Sequence, residues 1–225
     1  MDLLSVLKKV SNEFNSHGFL LFAVGGTVRD FLLGKDIKDF DFVTDATPSE
    51  MKLFLDNYND VFEKYGVIIY KLDEIRIEIT TLRKEADYQD SRHPNKVIFV
   101  KSIEEDYLRR DFTINALYMD QNGKVFDLCG GVNDLNNRII KVIGNIDKRM
   151  NEDPLRILRA LRFSLVLNFN LDEDLRIFIQ NNIDLLKKLN YAKVKQEIMK
   201  MIKHDEKSTK ELLNKFNINL FNINE

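Results

Sequence analysis

Apolar residues Leu3, Leu4, Val6, Leu7, Val10 and Phe14 recur at helical spacing, so residues 2–16 read as an amphipathic helix that Gly18 closes. Residues 19–24 then form a short apolar run with the length of a buried strand, ending at Gly25-Gly26. Thr27 is placed to cap a short helix over 28–33, stopped by Gly34. Strict alternation over 39–43 predicts a second strand with Phe40 and Phe42 turned inward. Thr47-Pro48-Ser49-Glu50 carries the cap, the first-turn proline and the acid of a helix start. Residues 67–72 and 75–80 predict two strands around a tight Asp73-Glu74 turn. In the second of these the isoleucines take one face and Arg76, Glu78 and Thr80 the other. Residues 84–95 are polar, contain Pro94 and read as a loop. After about residue 147 no strand pattern remains, and helical periodicity runs over 151–203. The expected organisation is an α/β domain over 1–146 followed by a helical segment over 147–225.

Composition narrows the class of protein. With 225 residues, 44% hydrophobic and 31% charged, the chain has enough apolar material for a core and is neither a disordered tail nor a collagen-like repeat. The net charge of −2 gives no overall basic field, so any contact with nucleic acid must come from local clustering of charge. A single Cys129 excludes an internal disulfide framework and a thiolate zinc cluster, and the three histidines are scattered. The longest clean apolar run is too short to span a bilayer, and the acidic start Met1-Asp2 does not resemble a signal peptide. The expectation is a cytoplasmic protein with no membrane partner.

Candidate chemistry lies between Gly25 and Asp41. Asp39 and Asp41 are two apart on a strand, so their carboxylates leave one face roughly 6–7 Å apart at the backbone, a spacing that suits hard cations such as Mg²⁺. Glu78, on the polar face of another strand, can supply a third carboxylate. A lone Asp-x-Asp is weak, since such a pair is usually a turn or a solvated face. Gly25-Gly26 strengthens it, because a strand running into bare amides and a helix start is where a phosphate can lie. With Arg29-Asp30 between the glycines and the carboxylates, the combination describes phosphoryl or nucleotidyl transfer. Arg109-Arg110-Asp111 places two guanidiniums beside a carboxylate, enough for a triphosphate and a ribose hydroxyl, although such a run is more often an ion-paired surface. Asp153, Arg156, Arg159 and Arg162 recur every three residues as a polar stripe on a predicted helix, whose ordinary meaning is a solvated face.

Residues 24–30, Leu32-Leu33-Gly34 and Asp39-Phe40-Asp41 together resemble the first motif of the bacterial-type (class II) tRNA nucleotidyltransferases and their poly(A) polymerase relatives. The likeness continues through residues 109–117, then 127–131 and Glu152-Asp153-Pro154-Leu155-Arg156, in the family's order. The resemblance implies a catalytic head of the polymerase-β nucleotidyltransferase type, a mixed or antiparallel sheet with helices, followed by an all-α neck. It implies Mg²⁺ on Asp39 and Asp41 with Glu78 completing the catalytic set. Gly25, Gly26, Arg29, Arg110, Asp111 and Asn115 would then contact the nucleotide. Asp153 and Arg156 would act as a protein template for the base, supported by Arg159 and Arg162. It further implies CTP and ATP as substrates and the acceptor end of tRNA as partner, with pyrophosphate released on CCA addition. Residues 87–94 resemble the loop that full CCA-adding members carry and CC-only members lack. Poly(A) polymerase, a partial A- or CC-adding enzyme, and a non-catalytic RNA-binding remnant remain as alternatives. Two departures stand out. The helical body and tail that grip tRNA in the family are not found in this sequence, and Asn190-Tyr191-Ala192-Lys193 stands where a Ser-x-Glu-Arg run is usual.

Overall fold

A computed structural model describes residues 2–88 and 94–218. The chain divides into two compact units, Met1–Ala86 with Lys96–Val132 and Asp87–Asn95 with Asn133–Glu225. Residues 133–146 therefore pack with the second unit, whereas the change in sequence character comes later.

In the first unit, helix α1 (Leu3–Ser16) starts at Asp2, whose carboxylate accepts the Ser5 amide. Its Val6, Leu7, Val10 and Phe14 are buried as the apolar spacing requires. Next come β1 (Leu21–Val24), α2 (Gly26–Leu32), β2 (Phe40–Thr44), α3 (Pro48–Met51), β3 (Tyr58–Asn59), β4 (Val67–Leu72) and β5 (Ile75–Thr81). After these lie β6 (Arg83–Tyr88), β7 (Pro94–Phe99), α4 (Ile103–Asp106), β8 (Leu117–Met119), β9 (Val125–Asp127) and the start of α5 (Gly131–Asn136). Seven strands form one mixed sheet in the order β3-β4-β5-β2-β1-β8-β9. Its parallel pair is β2 with β5; β1 runs antiparallel to both β2 and β8. Phe42, Ile68, Ile77 and Ile79 are all 1% exposed or less, so the hydrophobic face of each strand is fixed and the polar face follows by alternation. The capping box at α3 forms as expected, with the Thr47 amide donating to Glu50 Oε2 at 2.7 Å and the Glu50 amide donating back to Thr47 Oγ1 at 3.3 Å.

The loop expected over 84–95 is instead largely strand. β6 and β7 pair as a separate two-stranded sheet. Polarity misleads there because a two-stranded arm need not bury either face, and Pro94 is tolerated as the first residue of a strand. Residues 89–93, the centre of the family-like loop, lie outside the described residues.

Asp127 closes the first unit by accepting three amides, Cys129 and Gly131 on Oδ1 (3.2 and 2.8 Å) and Val132 on Oδ2 (2.9 Å). That turn brings Gly131 so close to the 113 segment that a Cβ would sit 2.2 Å from the Thr113 carbonyl oxygen. Gly131→Ala is expected to cost about 2–3 kcal/mol, since backbone rather than a mobile side chain must give way. Urea denaturation of the variant beside the parent protein checks this.

The second unit is helical: α6 (Ile146–Glu152), α7 (Leu155–Leu167), α8 (Glu173–Asn181), α9 (Tyr191–His204) and α10 (Glu206–Lys215). Helix α7 buries Ile157, Leu158, Ala160 and Leu161 against α9 and α10. One short strand pair escaped the sequence pattern: β10 (Ile139–Ile140) runs parallel to β11 (Asn170–Leu171). Two residues are too few to show alternation. Among the described residues no helix is long and apolar enough to cross a membrane.

Candidate active site

The carboxylates converge because of strand register. In the parallel pair β2·β5, Asp41 stands directly opposite Glu78. Asp39 lies just ahead of β2 on the same polar face, and it is exposed where Asp41 is half-buried. Thr27 fixes this approach. Its hydroxyl donates to the Asp39 carbonyl at 3.0 Å and accepts the Asp41 amide at 2.9 Å. The side chain expected to cap α2 is therefore spent on the carboxylate strand, and the helix begins at Gly26 with Gly25 as its cap. Burial, then the nearby charges of Glu78 and Asp39, push the Asp41 carboxyl up to about 6, with Arg110 and Arg29 pulling the other way. A cleft of about 550 Å³ opens over these residues, and Asp39, Asp41 and Glu78 all line it.

Gly25 has φ +66°, a conformation costly for any residue with a Cβ. Its amide donates to Leu117 O at 3.1 Å. A Cβ there would lie 3.6 Å from Asn115 O and 3.7 Å from Arg110 Nη1, so the glycine turn runs against the 110–117 segment. Arg29 bridges the two. It is bidentate to Asp30 at 2.9 Å on both oxygens, and Nη1 donates to Asn115 Oδ1 at 2.7 Å. Asn115 Nδ2 in turn donates to Asp111 Oδ1 at 3.1 Å, which also accepts the Phe112 amide. Gly25, Arg29, Asn115 and Asp111 thus form one hydrogen-bonded group, with Gly26 next to Gly25 at the start of α2.

Arg109 and Arg110 are less available than their sequence suggests. Both guanidiniums are bound to Asp106, Arg109 Nε at 2.8 Å and Arg110 Nε at 3.0 Å. Arg110 Nε also donates to the Tyr118 hydroxyl at 2.9 Å, and that hydroxyl donates to Asp106 at 2.7 Å. Burial alone would raise the Asp106 carboxyl, but Arg110 and Arg109 hold it well below the usual carboxylate range. Arg109 further reaches Glu85 at 3.3 Å, and Arg83 binds the same oxygen of Glu85 at 2.7 Å. Sequence reasoning missed Asp106. Its signal was the three- and four-residue spacing to the two arginines.

In the second unit the continuous stripe over residues 153–162 is broken. Asp153 is not on α7 but in extended backbone at the end of α6, and its Oδ1 accepts the Leu155 amide at 3.1 Å. Arg156 is buried, not solvated, and its Nη1 donates to Arg149 O at 2.6 Å with Glu152 Oε2 at 3.5 Å. Arg162 donates to Glu197 of α9 at 2.8 Å, and both Arg159 and Arg162 stack over Phe163. The helix starts later than the periodicity implied because Pro154 supplies its cap position.

Among the described residues no group of three or more His, Cys, Asp or Glu side chains stands ready to hold a metal ion. The donor chemistry nevertheless fits a hard cation: three carboxylates, oxygen donors only, share a cleft, and burial first, then the charges of Glu78 and Asp39, raises Asp41.

Residues 21–141 match the family model of the poly A polymerase head domain. A CCA-adding enzyme of Lactobacillus helveticus is 44% identical over 82% of this chain and 46% of its own length. One from Enterococcus faecalis is 42% identical over 86% of this chain and 48% of its own. Among solved structures, the CCA-adding enzyme of Bacillus stearothermophilus in complex with CTP superposes with a TM-score of 0.87 at 33% identity, covering 97% of this chain and 54% of that one. The Thermotoga maritima CCA-adding enzyme complexed with tRNA gives 0.77 at 25% identity, over 97% and 52%. The chain spans about half the length of the curated relatives it matches. With a head of mixed sheet and a helical unit after it, the chain belongs to the poly A polymerase head domain family.

Proposed function

We propose that this chain carries out template-independent nucleotidyl transfer from CTP and ATP to the 3′ end of tRNA, completing the CCA sequence. The observation that carries the proposal is the pairing of Asp41 with Glu78 across β2·β5, with Asp39 beside them in one cleft. The RNA 3′-oxygen forms a bond to the α-phosphorus, the bond from that phosphorus to the bridging oxygen breaks, and pyrophosphate leaves. Mg²⁺ would be held by Asp39 and Asp41, with Glu78 joining them, and would neutralise phosphate charge and favour ionisation of the attacking hydroxyl. Gly25 and Gly26 present backbone to the triphosphate, with Arg29 and Arg110 as neighbouring cations. Asn115 and Asp111, joined to Arg29 by hydrogen bonds, would read a ribose hydroxyl. Arg29 and Arg110 are held in place by Asp30, Asn115 and Asp106, so little order remains to be imposed on binding.

Base choice falls to Asp153 and Arg156, with Arg159 and Arg162 as support. Cytosine and adenine each offer an exocyclic amine beside an unprotonated ring nitrogen. A carboxylate accepts from the amine and a guanidinium donates to the nitrogen. Uracil and guanine present the reverse polarity and leave both protein groups unpaired. The test is incubation with tRNA ending before CCA, each labelled nucleotide singly and in mixture, followed by sequencing of product ends. UTP and GTP are expected to be used at least about a hundredfold less efficiently than CTP and ATP. Equal use of UTP and CTP overturns the base assignment, and a long ladder from ATP alone replaces CCA addition with poly(A) synthesis.

A further inference from the structure

Two cations on the wall of the carboxylate cleft lie outside the set assigned above to the triphosphate. Lys38 and Arg76 both line the cleft, and both are exposed. Neither makes a side-chain hydrogen bond or ion pair with a described residue. Arg76 precedes Glu78 by two on β5, so both side chains leave one face of the strand about 6–7 Å apart at the backbone. Lys38 immediately precedes Asp39. Glu74, the remaining acid of the cleft, pairs with Lys71 at 3.4 Å.

These two differ in kind from Arg29 and Arg110. That pair lies by the glycine turn, is nearly buried and is tied to Asp30, Asn115 and Asp106. Neither of its members is on the described wall of the cleft, where Lys38 and Arg76 are. The carboxylates thus have a rigid set of cations on the glycine side and an exposed, uncommitted set within the cleft. Transfer in line places the entering oxygen and the departing pyrophosphate on opposite sides of the α-phosphorus. With the triphosphate on the glycine side, the exposed set faces the entering strand. The geometry points to Lys38 and Arg76 as the contacts for the 3′-terminal phosphodiester of the acceptor RNA, positioning its hydroxyl over Glu78. Long, solvated side chains suit this task, since phosphate contacts set the register of the strand without reading its sequence. The inference rests on the nucleotidyl-transfer reading above.

Lys38→Ala, Arg76→Ala and the double variant test it, with CCA-less tRNA varied at saturating CTP and CTP varied at saturating tRNA. The double variant is expected to raise KM for RNA about tenfold or more, and to reduce the salt-dependence slope of RNA binding by roughly one to one and a half. KM for CTP and kcat at saturating RNA stay near those of the parent protein, and Arg76→Lys keeps most of the parental affinity for RNA. An unchanged KM for RNA overturns the assignment. A raised KM for CTP also overturns it, by giving the two cations to the triphosphate. In either case incorporation by the parent protein leaves nucleotidyl transfer standing, whereas a parent protein that incorporates nothing under these conditions overturns both.

Discussion

Asp41→Asn is expected to abolish nucleotide incorporation and, at the same time, to make the cation-free protein more stable. The loss of rate should be about a thousandfold or more, because a carboxylate at the reacting phosphate acts through charge that the amide lacks. The gain in stability follows from the environment of Asp41. Burial and the charges of Glu78 and Asp39 lift its carboxyl from 3.8 to about 6 in the folded state. A raised acid favours the protonated form of the fold, so its contribution is absent below about pH 4, where folded and unfolded chains are both protonated. As pH rises from 4 to 6 the unfolded chain releases the proton first and the fold is penalised. Above pH 6 the penalty is complete, at roughly 3 kcal/mol for a shift of this size. Thermal melts in EDTA at pH 4 and pH 8 therefore separate the variants. Asp41→Asn should melt with the parent protein at pH 4 and above it at pH 8. Added Mg²⁺ should raise the parent's melting temperature and leave the variant's unchanged. Residual incorporation near the parental rate, or coincident melts at pH 8, would sink the assignment of Asp41 as the central ligand.

The parts of this site that the sequence discloses are those in which one short segment sets the geometry. Alternation at Asp39-Phe40-Asp41-Phe42 defines which side chains are polar-facing, and Ile77 and Ile79 do the same for Glu78. The pairing of those two faces is another matter, since Asp41 and Glu78 are brought opposite by a parallel register that no local pattern encodes. Thr27 illustrates the same limit. Its position at a helix start reads as a cap, yet its hydroxyl is taken by the backbone of β2, a contact across fourteen positions. In the second unit the three-residue recurrence of Asp153, Arg156, Arg159 and Arg162 is real in sequence but not in space, because Pro154 separates the first from the helix of the others. Their polar character is also misleading: Arg156 and Arg162 are tied to Arg149 O and Glu197 rather than lying open to water. Roles for these residues came from a family likeness, and burial could not have been inferred from spacing.

Asp106 is where tertiary structure adds most, and its replacement should have the largest effect on stability. The carboxylate has no exposed surface. It accepts from Arg109, Arg110, the Tyr118 hydroxyl and the Arg83 amide at 2.7–3.1 Å. Asp106→Asn leaves two nearly buried guanidiniums facing a neutral amide, and a partner removed from a buried ion cluster typically costs about 3–5 kcal/mol. Tyr118→Phe, which removes one donor and one acceptor but no charge, should cost only about 1–2 kcal/mol. The two in combination should be less than additive, since the hydroxyl's principal partner has already gone. The pH dependence carries its own sign. Asp106 is depressed in the fold, so its contribution is present above the unfolded carboxylate pKa and is lost as pH falls below about 4 toward the folded value. Urea denaturation of the parent protein should therefore weaken between pH 4 and pH 2 more steeply than that of Asp106→Asn. Arg110 lies 3.7 Å from the position of a Gly25 Cβ, so release of its anchor should also raise KM for CTP while leaving KM for RNA unaffected. An Asp106→Asn protein with parental stability at pH 7 would mean that Arg109 and Arg110 find other partners, and that the cluster does not hold the nucleotide side of the site in place.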